Sequence, residues 1–224
     1  QMSRYSLLAA SAAFTIIAAP QAALAQATSY DGGIGTTGIG VNASVKLLPH
    51  VAVRGGYNYL QFELDEMDYD GIEYDTEIDF STFSAFVDLH PFKNGFTVTA
   101  GLYQGNKEVM LDATPDEPVE IGDLTFTPEQ VGTLIGTVGL EDTAPYLGIG
   151  WDGALYSDSM INFFIRAGVM FTGSPEIELN ASGGTLTDDP VLQAEIQREI
   201  ENLEEEVDDY EYFPVINVGV AFRF

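Results

Sequence analysis

The sequence predicts an all-β fold, an eight-stranded antiparallel up-and-down transmembrane β-barrel with a helix in the last long loop. Three observations predict it. Eight segments alternate apolar residues with small or polar ones at a period of two. The apolar faces of these segments carry no charged residue, as a lipid-facing wall requires, because a charge at mid-bilayer costs about 2–4 kcal/mol. The connections between segments are short at one end and mostly long at the other, as in outer-membrane barrels.

The eight predicted strands follow one another along the chain. A short glycine-rich segment comes first, and a tight turn at Thr36-Thr37-Gly38 leads into the second. The last segment is FPVINVGVAFRF, which places Ile216, Val218 and Phe222 on one face. Aromatic residues gather near the ends of several segments, as in the interfacial girdles of barrels. The predicted strands cover residues 29–36, 38–48, 51–63, 79–91, 95–107, 144–155, 161–172 and 212–224. An exported β-sandwich or lipocalin-like barrel with an apolar interior is the alternative fold.

The first 25 residues have the pattern of a secretory signal peptide. Arg4 gives a positive start, Leu7 to Ala19 is apolar, and Ala23-Leu24-Ala25 matches a small-x-small cleavage site. We therefore expect two parts: residues 1–25, a signal peptide that is removed, and residues 26–224, one outer-membrane β-barrel domain. An N-terminal anchor helix is the alternative, although its apolar stretch is short for a bilayer.

Composition excludes several classes of function. The sequence has no cysteine, and therefore no disulfide, zinc-thiolate site or cysteine nucleophile. Eight basic residues face 35 acidic ones, and the formal charge is −27. Because so acidic a chain repels polyanions, we expect no nucleic-acid partner. No Ser/His/Asp order, phosphate-cradling loop or pair of catalytic carboxylates stands out, and His50 and His90 lack metal-ligand spacing. The sequence therefore predicts a protein that is not an enzyme; an outer-leaflet lipid-modifying activity is the least favoured hypothesis.

Several stretches resemble small proteobacterial outer-membrane β-barrel proteins, broadly similar to the OmpA transmembrane domain and the OmpW-like barrels. They are GGIGTTGIG, NGFTVTAGLYQGNK, APYLGIGW, FTGSPEIEL and YFPVINVGVAFRF. The resemblance implies a porin-like barrel in the outer membrane of the Gram-negative cell envelope, in contact with outer-membrane lipid and lipopolysaccharide. The terminal Phe224 resembles the C-terminal signal read by the barrel-assembly machinery, which would make that machinery a partner. No catalytic residues come with the resemblance.

Scarce basic residues concentrate on the predicted inward faces, together with acids. An eight-stranded barrel is only just wide enough for its own side chains, and buried charges must be paired. The pattern therefore favours a salt-bridged lumen and a structural or surface-interaction role. The alternative is a narrow channel or uptake porin for a small solute, because rings of charge also line pores. The predicted lumen charge network comprises Lys46, Arg54, Lys107, Arg166, Arg223, Asp31, Asp88 and Asp152.

The first long loop contains a possible cation site. Glu66, Asp68, Asp70 and Glu77 follow the spacing of an EF-hand calcium loop, with Gly71 at its turn position. No flanking helices are predicted, and an acidic chain produces such spacings by chance. We therefore predict no cofactor beyond a possible loop-bound divalent cation. Carboxylates shared with lipopolysaccharide phosphates through divalent cations are the broader expectation.

The other two long loops contain helix signals. Thr127-Pro128 with Gln130 predicts a short helix in the second loop. In the third, Asp188 or Asp189 caps a helix that starts at Pro190 and has a stripe formed by Leu192, Ile196, Ile200, Leu203 and Val207. Such a stripe usually packs on its own protein. The 190–209 helix is nevertheless a possible contact for a surface partner.

Overall fold

A computed structural model describes residues 27–69, 72–207 and 210–224; for residues 64–69 and 72–74 it describes the backbone alone. The predicted signal peptide and the predicted mature N-terminus at residue 26 lie outside the described residues. Twelve strands and two helices make up the described chain. They are β1 (Thr28–Gly35), β2 (Gly38–Leu48), β3 (Val51–Tyr69), β4 (Ile72–Leu89), β5 (Phe96–Pro115), β6 (Val119–Ile121), β7 (Leu124–Phe126), α1 (Pro128–Val131), β8 (Gly132–Gly139), β9 (Thr143–Asp152), β10 (Ile161–Phe171), β11 (Glu176–Gly183), α2 (Pro190–Val207) and β12 (Tyr212–Arg223).

Eight of the strands close into a barrel. Strands β1 to β5 pair in chain order, β5 pairs with β9, and β10 lies between β9 and β12. The ring closes where β12 pairs with β1, from Ser29 opposite Arg223 to Gly35 opposite Asn217. Every pairing is antiparallel. The predicted eight-stranded antiparallel barrel is therefore confirmed, strand by strand.

The outside of the barrel is an apolar belt. Large side chains stand exposed on it, among them Ile34 (62%), Ile39 (66%), Phe83 (66%) and Phe163 (78%). The period-two alternation sends these residues outward and their neighbours into the lumen. So wide an exposed apolar surface is stable in lipid and not in water. The alternative of an exported β-sandwich or lipocalin-like barrel with an apolar interior is therefore wrong.

The tight turn between β1 and β2 depends on glycine. Gly38 has a φ of 86°, and a Cβ there would lie 2.2 Å from the Tyr59 carbonyl oxygen. Only glycine combines this backbone conformation with so close an approach. The predicted turn at Thr36-Thr37-Gly38 therefore needs glycine at its last position, because strand β3 lies too close for a side chain.

The long connections are more ordered than the sequence predicted. Residues 64–78 were expected to form a loop, but β3 continues to Tyr69 and β4 begins at Ile72. Strand β5 likewise continues to Pro115 and pairs with β8, which pairs with β11. Acidic residues interrupt the apolar alternation in these extensions, and for that reason the sequence pattern did not reveal them. The sheet therefore rises well beyond the apolar belt on the β3–β4–β5 side.

A small second core lies on this raised sheet, built by the β6–β7 hairpin, α1, β8, β11 and α2. Leu192 and Ile196 of α2 are buried against Ile121, Phe126 and Val131. The predicted α2 stripe therefore packs on its own protein, with its last members half-buried. Asp189 caps the helix, since its carboxylate accepts a 2.8 Å hydrogen bond from the Val191 N–H. No described helix is long and apolar enough to span a membrane.

Two glutamates of α2 hold the turn between β6 and β7. Glu195 accepts a 2.9 Å hydrogen bond from the Asp123 N–H, and Glu199 accepts a 3.0 Å bond from the Gly122 N–H. The bond from Asp123 lowers the pKa of Glu195, with a smaller contribution in the same direction from Arg198. The helix is therefore fixed by polar as well as apolar contacts.

Candidate functional site: the barrel lumen

In the part of the chain that the structure describes, buried ion pairs form two clusters in the lumen, and the first joins β3 to β4. Arg54 donates to Asp88 from Nε at 2.9 Å and from Nη2 at 3.1 Å, and both side chains are buried. Thr99 on β5 donates a 2.5 Å hydrogen bond to the same carboxylate. A bidentate ion pair with an additional hydrogen-bond donor offsets the desolvation cost of burying the two charges.

The second cluster joins three strands around Arg166 of β10. Its guanidinium donates to Asp31 of β1 at 2.9 Å and 3.2 Å, and also to Asp152 of β9. Asn42 donates a 2.7 Å bond to Asp31 from the other side. One cation therefore lies between two carboxylates, and the cluster ties β10 to its neighbour β9 and, across β12, to β1.

Each of these arginines also stacks on an inward aromatic ring. The Arg54 guanidinium carbon lies 4.3 Å from the centre of the Phe86 ring, and that of Arg166 lies 3.9 Å from the centre of the Phe164 ring. Cation–π contacts of this kind gain strength where water is excluded. Gly33 and Gly219 leave room for Phe164, since a Cβ on either would come within 2.7 Å of the ring.

An aromatic layer fills the lumen next to the charged layer. Phe86, Tyr103 and Tyr146 meet edge to face, with ring centres 5.2 to 5.6 Å apart. Ala144, Met170 and Val215 complete this cluster, and all six side chains are buried. The lumen on the α2 side of the charged layer is therefore filled by buried side chains.

Little space remains between the two layers. The cavity between the two arginines measures about 10 Å³ and is lined by Arg54, Arg166, Asn58, Tyr103 and Phe164 among others. That is about the volume needed for one water molecule. This cavity is too small for a hydrated ion or a small solute.

Three members of the predicted charge network lie elsewhere. Lys107 is buried above the aromatic layer and donates to the carbonyl oxygens of Gly105 and Asp142 at 2.7 and 2.9 Å. Lys46 and Arg223 lie at the opposite mouth, where each donates to a backbone carbonyl. The structure therefore brings together Arg54, Arg166, Asp31, Asp88 and Asp152 of the eight predicted residues. The other three lie nearer the two ends of the barrel, apart from these pairs.

The predicted calcium loop is replaced by strand pairing. Glu66 and Asp68 lie on β3, Asp70 lies outside the described residues, and Glu77 lies on β4 opposite Glu63. Asp68 pairs with Glu73, which is four positions, or about 13 Å, from Glu77 along β4. The described backbone is therefore a paired hairpin rather than an EF-hand loop, and the cation site itself stays a prediction. Among residues whose side chains are described, no three acidic or histidine groups come together as metal ligands.

Sequence reasoning placed Tyr103 and Tyr146 on the inward face but missed the two phenylalanines of the lumen. Phe86 and Phe164 occupy the inward phase of their strands, which was expected to hold only small or polar residues. Phe86 lies between Ser84 and Asp88 in that phase, and Phe164 lies two residues before Arg166. Both phenylalanines lie two positions from a charged residue that was already assigned to the inward face. That spacing could have placed them in the lumen.

Structural comparison found similar solved structures. CarO2 of Acinetobacter baumannii superposes with a TM-score of 0.60 at 23% identity, covering 88% of this chain and 98% of that chain. CarO of the same organism gives 0.57 at 23% identity, covering 92% and 100%. A major outer membrane protein from Thermus thermophilus gives 0.43 at 15% identity, covering 90% and 100%. No protein-family model and no curated protein matches the chain.

The shared fold is that of an outer-membrane β-barrel. The fold and the exposed apolar belt together locate the chain in the bacterial outer membrane, as the sequence predicted. The three short connections then mark the periplasmic end, and the raised sheet with α2 marks the outer end. The narrower resemblance to the OmpA and OmpW-like barrels is not confirmed and stays a prediction.

Proposed function

We propose that this protein is a sealed outer-membrane barrel with a structural and surface-interaction role, rather than a channel or an enzyme. The observation that supports a sealed barrel is the filling of the lumen by two compensated ion-pair clusters and an aromatic layer. Only about 10 Å³ remains between the arginines. Because every cation of the clusters has a carboxylate partner, a passing anion would have to compete with a covalently tethered one.

Planar-bilayer recording tests the sealed lumen. The protein is purified from outer membranes, and its heat-dependent gel shift verifies the folded barrel. We expect no reproducible conductance steps. Steady openings that change in ion selectivity when Arg54 or Arg166 is neutralised would instead establish the narrow channel for a small solute. A variant of Arg198, on α2, serves as the matched control because it removes the same charge far from the lumen.

The surface role is supported by an acidic band above the apolar belt. Asp79 and Glu77 continue the outward face of β4 beyond the lipid-facing Phe83. Asp79 pairs with Glu108 on β5, and Glu77 pairs with Glu63 on β3. We propose that these carboxylates contact lipopolysaccharide phosphates through shared divalent cations, since oxygen ligands of both kinds suit Mg²⁺ and Ca²⁺.

Co-sedimentation with lipopolysaccharide vesicles tests this contact. Binding is expected in Mg²⁺ and not in chelator, and the triple variant Glu77→Gln, Asp79→Asn, Glu108→Gln should lose it. The control triple variant Glu204→Gln, Glu205→Gln, Glu206→Gln removes the same charge from the exposed face of α2. Equal losses in both variants would show that only net charge matters and would overturn a specific acidic band.

A further inference from the structure

An open groove lies at the periplasmic mouth of the barrel, away from the packed lumen. It measures about 560 Å³, within the range of small-molecule sites. We call it the basic groove, because three of its lining residues are cations. It is lined by Ala27, Lys46, Leu47, Leu48, Pro49, Lys93, Tyr156 and Arg223.

The basic groove gathers three cations on a chain whose net charge is strongly negative. Apart from Arg4 in the predicted signal peptide, the sequence has seven basic residues, and three of them line this groove. Lys46, Lys93 and Arg223 come from β2, from the turn before β5 and from the end of β12. Three distant segments thus bring positive charge to one place on a protein that is otherwise strongly acidic.

These charges are poorly compensated by the protein. The Lys46 ammonium donates to the Leu155 carbonyl at 3.2 Å and lies 4.3 Å from the centre of the Tyr156 ring. The nearest carboxylate to Arg223 is that of Asp158, which is fully exposed, at 3.9 Å. Among the described residues, Lys93 has no ion pair and no side-chain hydrogen bond. The lumen arginines, by contrast, each have a buried carboxylate at 2.9 Å. The groove therefore carries positive charge that an anionic ligand would neutralise.

One wall of the groove belongs to the lipid-facing surface. Leu47 and Leu48 line it and are 41% and 60% exposed. Phe92, next to Lys93, is 71% exposed and contacts Phe96 at a ring-centre distance of 5.8 Å. The cations therefore lie at the level where the acyl chains of the inner leaflet give way to headgroups.

We propose that the basic groove binds an anionic phospholipid of the inner leaflet. The phosphate would accept hydrogen bonds from Lys46, Lys93 and Arg223, and the start of an acyl chain would lie along Leu47 and Leu48. A free phosphate satisfies only the first of these contacts and leaves the apolar wall unused. The site is independent of the lumen and of the acidic band at the outer end.

Native mass spectrometry of the protein purified from outer membranes tests the proposal, with phosphatidylglycerol as the probe. Inorganic phosphate and glycerol phosphate, which lack acyl chains, are the competitors. Lys93→Asn removes one charge and suits the left-handed backbone of that residue, whose φ is 51°. Arg198→Gln is the matched control, removing one charge at the outer end.

Phosphatidylglycerol is expected to bind with one copy per barrel. Its affinity should fall about fivefold in Lys93→Asn and further in the double variant with Lys46→Gln, and it should not change in Arg198→Gln. Competition by inorganic phosphate at the lipid's own concentration would overturn the lipid assignment in favour of a free-anion site. Equal losses in the control variant, or no retained lipid in a barrel that shows the normal gel shift, would overturn the site itself.

Discussion

Arg54 donates two hydrogen bonds to Asp88, and the two residues lie diagonally across neighbouring strands. Ala52 is the residue directly opposite Asp88, whereas Phe86 is directly opposite Arg54. The guanidinium thus reaches one carboxylate while it lies over the ring of its cross-strand partner. This arrangement ties the charged layer of the lumen to the aromatic layer through a single side chain.

Breaking this pair on one side should be costly. Asp88→Ala leaves the Arg54 charge buried without a partner, and we expect a loss of about 3–5 kcal/mol in the free energy of unfolding. Urea unfolding of the protein in lipid vesicles measures it. The double variant Arg54→Met, Asp88→Leu should be far closer in stability to the parent, because it leaves no orphan charge. Additive losses in the double variant would contradict this account of the pair.

The aromatic layer makes a second prediction, with its control on the same strand. Phe86→Ala should cost about 3–5 kcal/mol, because it opens a cavity in a packed layer and removes the ring under Arg54. Phe83→Ala changes the same residue type on the lipid-facing side, where no packed layer is opened, and should cost much less. The two unfolding free energies are measured in the same vesicles. A loss for Phe86→Ala no larger than that for Phe83→Ala would show that the layer is not close-packed.

The barrel itself was predictable from sequence because its outward face obeys one simple rule. Lipid tolerates only apolar side chains there, so every outward position from Ile161 to Phe171 and from Pro214 to Phe224 is apolar. The extensions of β3, β4 and β5 were not predictable in this way. They lie in water, where Glu63 and Asp79 are as acceptable outward as Phe83 is within the belt.

The sequence predicts that the lumen holds paired charges, but it does not predict which residues pair. The inward phase shows that Arg54 and Arg166 are buried, and the need to compensate charge predicts carboxylate partners. Which partner each arginine takes depends on strand stagger around the barrel, so the pairing of Arg166 with Asp31 follows only from three-dimensional geometry. The same stagger places Lys46 in the basic groove, outside the ion-pair clusters.

Close packing around Phe164 gives a third prediction, using two adjacent glycines. A Cβ on Gly33 would lie 2.4 Å from the Val218 carbonyl oxygen and 2.7 Å from the Phe164 ring. On Gly32 the nearest atom would be 3.9 Å away. Gly33→Ala should therefore lower the free energy of unfolding by about 1–3 kcal/mol, whereas Gly32→Ala should be nearly neutral. If both substitutions were neutral, the ring would have room to move.

Helix α2 should undock without unfolding the barrel. Ile196 is 3% exposed in the second core, and Ile196→Ala should weaken docking by about 2–5 kcal/mol. Val191, on the same helix, is 54% exposed, and Val191→Ala is the matched control. Limited proteolysis should then cut the Ile196 variant within 184–211 while its heat-dependent gel shift is retained. Loss of the gel shift would show that the second core is needed by the barrel.

Docking of α2 should also depend on pH through Glu195. Hydrogen bonding from the Asp123 N–H lowers the pKa of this carboxyl below its ordinary value of 4.5, and Arg198 acts in the same direction. The other acidic group facing this turn is Glu199, which accepts a hydrogen bond from the neighbouring Gly122 N–H. A lowered pKa in the folded protein means that the stabilisation is fully present above the ordinary pKa and is lost as the pH falls through the lowered one. Acid should therefore increase cleavage by pepsin within 184–211. Glu195→Gln keeps an acceptor oxygen and cannot titrate, so it should show weaker bonding at neutral pH and a smaller change on acidification. The same acid response in both proteins would assign it to other carboxylates of α2.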